Sequence, residues 1–87
     1  MTVGTRIQVG GGTVAHREGL SFGGSDMLPA GDGEPAQVVI TVWDKSPGEH
    51  DFKLSVGQSF EFLGQTWRLD EIDDRAHRWY ATLTRVA

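Results

Sequence analysis

The amino-acid sequence predicts an all-β protein, a small antiparallel β-sandwich or barrel of six to eight short strands. Three observations carry that expectation. Apolar and polar residues alternate with period 2 in several separate stretches, turn-forming residues recur between them, and no stretch repeats its apolar residues at helical spacing. The clearest stretch is Leu54 to Ile72, LSVGQSFEFLGQTWRLDEI, where Phe60 and Phe62 oppose Ser59 and Glu61. After Leu63 and Gly64, Trp67 and Leu69 alternate with Thr66, Arg68 and Asp70. This is a hairpin with one buried face, and its large aromatics each bury about 150 to 250 Å².

Taken in order, Thr5 to Val9 alternates Ile7 and Val9 with Arg6 and Gln8 and then meets Gly10, Gly11 and Gly12, read as a flexible connection. Thr13 to His16 and Leu20 to Phe22 are short strand candidates. Gly23 to Pro35, GGSDMLPAGDGEP, has the composition of a turn and is expected to be the longest loop. Gln37 to Asp44, QVVITVWD, is apolar on both faces, as a central or doubly covered strand would be. Lys45 to Gly48 is a turn around Pro47, and His50 to Val56 alternates Phe52, Leu54 and Val56 with Asp51, Lys53 and Ser55 as a hairpin partner for the strand before it. Gly57 suits a tight turn that needs a positive φ. Past Leu69 the parity slips by one at Ile72, which predicts a bulge at Asp70 and Glu71. The last strand, Arg78 to Val86, alternates Trp79, Ala81 and Leu83 with Tyr80, Thr82 and Thr84. The expected core is Ile7, Phe22, Val38, Ile40, Val42, Phe52, Leu54, Phe60, Phe62, Trp67, Leu69 and Leu83.

The 87 residues make one domain over residues 1–87, small enough that its stability is modest. The absence of cysteine excludes a disulfide scaffold and thiolate metal sites, and a reducing cytoplasm is the expected setting. No stretch approaches the roughly 20 apolar residues of a membrane-spanning helix. A net charge of -4 speaks against a general nucleic-acid binder.

Catalytic chemistry finds little support. His16, His50 and His77 stand far apart, without the paired spacing of a zinc site, so no metal is expected. Asp70, Glu71, Asp73 and Asp74 lack the alternating ligands and glycine of a calcium loop. The serines form no G-x-S-x-G elbow, and the glycine run lacks the Lys-Ser/Thr of a phosphate loop. No cofactor is implied, and an enzyme is not expected.

The function read from these residues is a non-catalytic binding or assembly module that contacts another protein or copies of itself. Val39 and Trp43, on the second apolar face of their strand, are the candidate partner-binding residues. Met27 and Leu28 join them, either as part of the contact or as a loop covering that face within the chain. One alternative is a small-molecule or carbohydrate binder that stacks its ligand on exposed aromatics, with Trp79, Tyr80 and Arg78 as the candidate site and Trp43 as a further platform. Another is a single-stranded nucleic-acid binder, since Arg68, Arg75, Arg78 and Arg85 lie among Trp67, Trp79 and Tyr80.

The order Val56-Gly57 with Phe60, then Gly64 with Thr66-Trp67-Arg68-Leu69, then Thr82-Leu83-Thr84-Arg85-Val86 resembles an uncharacterised family of small actinobacterial proteins, a domain of unknown function. The resemblance implies an actinobacterial source and an all-β fold, and no substrate. Gly10 to Gly12 and Gly23 to Pro35 lie outside it.

Overall fold

The alternating stretches become eight strands: β1 (Arg6–Gly10), β2 (Val14–Arg17), β3 (Leu20–Leu28), β4 (Gln37–Trp43), β5 (His50–Leu54), β6 (Ser59–Phe62), β7 (Gln65–Arg75) and β8 (Arg78–Arg85). The computed structural model describes residues 3–45, 48–75 and 78–87, and among them there is no helix. Ser46 and Pro47 of the expected Lys45 to Gly48 turn lie outside the described residues. The strands form two four-stranded antiparallel sheets, ordered β1-β8-β7-β6 and β2-β3-β4-β5, facing one another as a sandwich.

Period-2 alternation puts one face of each strand between the sheets. Ile7, Phe22, Val38, Ile40, Val42, Leu54, Phe60, Trp67, Leu69 and Leu83 are buried there as expected, joined by Val9, Leu20 and Ala81. Phe52 and Phe62 pack against this core but are only half-buried. Trp67 is fully enclosed and meets Phe22 of the opposite sheet edge-on, with ring centroids 4.9 Å apart. Its indole N–H donates to Gln65 Oε1 at 3.1 Å, so a large side chain is buried with its polar atom satisfied. The predicted bulge is present: Leu69 pairs with Leu83 and Glu71 with Thr82, leaving Asp70 as the extra residue that returns Ile72 to the inward parity.

Two expectations are corrected. Gly23 to Leu28 is strand rather than loop, and the irregular connection is residues 29–36. Gly10 to Gly12 is not a flexible connection, because Gly10 ends β1 and the amide of Gly11 donates to the Trp79 carbonyl at 3.0 Å. Both glycine-rich stretches have the same physical cause. At Gly24 a Cβ would stand 2.2 Å from the Gly10 carbonyl oxygen, and at Gly11 it would stand 2.4 Å from Trp79 Nε1. The backbones can meet only without side chains. Gly12 donates to the Gly24 carbonyl at 2.9 Å and Gly24 donates to the Thr13 carbonyl at 3.1 Å, so this contact ties the β1 end of one sheet to β3 of the other.

A second tie crosses between the sheets at the β2–β3 turn, where Glu18 adopts φ 51° and Gly19 φ 81°. Arg85 Nη1 donates to Glu18 Oε1 at 2.8 Å and Gln65 Nε2 donates to the Glu18 carbonyl at 3.0 Å. On the opposite flank no backbone bond bridges the sheets among the described residues. There β5 and β6, each the last strand of its sheet, meet through side chains alone.

Candidate functional site

That unbridged flank is the most distinctive surface of the molecule. Alternation in β5 turns Phe52 and Leu54 inward and Asp51 and Lys53 outward, while β6 turns Phe60 and Phe62 inward and leaves Ser59 and Glu61 exposed. The rings of Phe52 and Phe60 stack with centroids 4.4 Å apart, Phe62 meets Phe52 edge-on at 6.5 Å, and His50 leans on Phe62 at 5.2 Å. The aromatics fill the gap between two sheet edges, and the half-buried Phe52 and Phe62 lie where the flank opens. Along each edge the backbone N–H and C=O groups that face away from β4 and β7 have no strand partner among the described residues, the arrangement that invites another extended chain. A shallow cleft of about 470 Å³ runs between them, floored by Phe52, Leu54 and Phe60. The turn joining β5 to β6 is fixed from below: Gly57, at φ 94°, donates to the Leu69 carbonyl at 2.8 Å, and Leu69 donates to the Gln58 carbonyl at 2.8 Å.

The candidate partner-binding residues do not form one surface. Val39 and Trp43 lie half-buried on the outward face of β4, with Val39 between Asp26 and Lys53. Trp43 lies over Gly23, where a Cβ would come 3.3 Å from Cζ3. Met27 pairs with Val38 and therefore turns inward against the core, while Leu28 ends the strand exposed. Because Met27 and Leu28 extend β3 beside β4, they do not fold over Val39 and Trp43. A polar chain runs along the same outward face, where Thr41 Oγ1 donates to Asp51 Oδ1 at 2.6 Å and accepts a hydrogen bond from Ser25 Oγ.

Nor do Trp79, Tyr80 and Arg78 present one stacking platform. Consecutive strand positions point to opposite faces, so Trp79 turns inward onto Gly11 and Gly24 while Tyr80 lies over Gly10 on the other face. Arg78 is exposed at the strand end, and all three line a cleft of about 470 Å³ with the Gly10 to Gly12 backbone. Of the other arginines, Arg68 pairs with Asp70 at 2.6 Å, Arg75 with Asp73 at 2.9 Å and Arg85 with Glu18 at 2.8 Å. The Thr84 hydroxyl, which donates to Asp70, and then Arg68 hold the Asp70 carboxyl below the usual aspartate value. His16 Nδ1 shares a hydrogen bond with Ser21 Oγ at 2.8 Å, and His77 lies outside the described residues. Among the described residues no three histidine or acidic side chains converge as a metal-holding group.

Sequence reasoning missed the β5–β6 flank because it is made by topology. The signal available was the charge alternation of His50 to Leu54, which suits an edge strand better than a central one.

No curated protein and no solved structure matches the chain. A family model does, and it spans residues 1–87, the tied flank with its glycines as well as the open one. The chain therefore belongs to DUF6406, a family of unknown function.

Proposed function

We propose that this chain is a non-catalytic assembly module that works through protein–protein contacts, its own copies included, and that the β5–β6 flank is its contact surface. The observation that supports this most is the pair of unpartnered strand edges lying side by side over half-buried Phe52 and Phe62. An added strand gives such an edge main-chain hydrogen bonds and covers the aromatics beneath, so affinity and register come from one contact. On the opposite flank the backbone contact of Gly11 with Gly24 already ties the two sheets together. Val39 and Thr41 lie one strand in from β5 and would border the contact. Trp43 is set beside Gly23 and is a lesser contributor. A cytoplasmic setting belongs to this reading, supported by the cysteine-free composition, and an actinobacterial source belongs to it through the family resemblance.

Sedimentation velocity over a concentration series tests the self-associating form. A shift from monomer to dimer with concentration is expected, and a chain that stays monomeric throughout refutes it.

A ligand-binding reading rests on the cleft that Tyr80 and Trp79 line together with Gly10, Gly11 and Gly12. Saturable quenching of tryptophan fluorescence by a member of a sugar panel would favour it over assembly.

A further inference from the structure

The order of residues in β5, His50-Asp51-Phe52-Lys53-Leu54, is self-complementary. We propose that two copies of the chain join edge to edge through β5, antiparallel about a two-fold axis that passes between the two Phe52 residues. This rests on the assembly reading above and specifies its partner and register.

In an antiparallel pair, residues directly opposite share a face. With Phe52 opposite its own copy, Asp51 stands opposite Lys53 of the second copy and Lys53 opposite its Asp51, giving two opposite-charge pairs on the outward face. Asp51 lies on that face, where its Oδ1 accepts a hydrogen bond from Thr41 Oγ1 of β4 at 2.6 Å. Lys53 is exposed and makes no ion pair among the described residues.

Neighbouring registers are disfavoured for identifiable reasons. A slip that centres the axis on Asp51 or on Lys53 sets like charges directly opposite. A slip by a single residue turns the second copy over, so that its apolar face meets solvent. The Phe52 register keeps both core faces on one side, and the same axis brings the β6 edges of both copies to that side, above Phe52 and Phe62. The two sandwiches then continue into one another, with an isologous contact that closes on itself. The other free edge of the same sheet, β2, reads Val14-Ala15-His16-Arg17 and offers no acidic residue to pair with Arg17.

The test is a charge swap followed by sedimentation velocity on the full chain, with circular dichroism confirming that each variant is folded. Lys53→Asp and Asp51→Lys each replace two attractive pairs with two repulsive ones and should weaken the dimer by about tenfold or more. The double variant Asp51→Lys with Lys53→Asp restores opposite charges and should recover dimerisation. Lys53→Asp changes an exposed side chain and keeps the comparison meaningful should Asp51→Lys disturb Thr41. A wild-type dimer that neither single change weakens, or that the double change does not rescue, overturns this register and leaves assembly standing. A wild-type chain that is monomeric at every concentration overturns self-association itself.

Discussion

Replacing Gly24 with alanine adds one methyl group at the place where the two sheets are tied, and the structure makes the consequence calculable. The new Cβ would lie 2.2 Å from the Gly10 carbonyl oxygen, 2.9 Å from its carbon and 3.0 Å from Trp79 Cη2. Two of these neighbours are backbone atoms with no rotamer to change, so the strands must separate. Separation strains or breaks the bond from Gly12 N to the Gly24 carbonyl and the bond from Gly24 N to the Thr13 carbonyl. Overpacking costs about 1 to 3 kcal/mol and each lost hydrogen bond about 0.5 to 1.5, for a total of roughly 2 to 6 kcal/mol. In a domain of this size each kcal/mol lowers Tm by roughly 4 to 8 °C, so the variant should melt at least about 8 °C below wild type. Gly31→Ala is the control, since nothing lies within 4 Å of its Cβ position. Its Tm should be unchanged or slightly raised through the lower entropy of the unfolded chain. Thermal melts followed by circular dichroism compare the two, and a Gly24→Ala variant that melts with Gly31→Ala refutes the tie between β1 and β3.

Trp67→Ala should cost about 3 to 5 kcal/mol, because the side chain is fully enclosed and the space left cannot collapse onto Phe22 without moving both sheets; urea denaturation measures it, and a midpoint near that of wild type would remove Trp67 from the centre of the core. The hydrogen bond from Thr84 and the charge of Arg68 depress the Asp70 carboxyl in the folded chain, so its ionised form stabilises the fold above the unfolded-state value, and that contribution is lost as pH falls through the folded-state value. Tm should therefore decline on acidification below the usual aspartate range, with a shallower decline in Asp70→Asn; identical pH profiles for the two chains would refute the linkage.

Much of the fold was legible because a strand with one buried face writes its parity into the sequence. Trp67, Leu69 and Leu83 were assigned to the core from alternation alone, and the slip at Ile72 located the bulge at Asp70. Composition misled where glycine serves close approach rather than flexibility. Gly23 looks like a loop residue until the Trp43 ring is placed against it, and Gly24 until the Gly10 carbonyl is, a neighbour fourteen positions away in the chain. Met27 and Leu28 were misplaced for the same reason, since a strand that continues through Gly24 puts them beside β4 rather than over it. The contact surface was the least legible part. Each of β5 and β6 can be read as a strand, but which strands end their sheets, and that both ends fall on one flank, depends on pairings the local pattern does not encode.

The most direct test of the open flank is amide hydrogen exchange across β5 as protein concentration rises. The β5 amides that do not bond to β4 are open to solvent in the isolated chain and become hydrogen-bonded when a second strand adds to the edge. Their protection should increase with concentration, while the amides of β2, the other edge of the same sheet, exchange at a constant rate. Exchange in β5 that is equally fast at every concentration, or protection that rises in β2 instead, would contradict assembly through this edge.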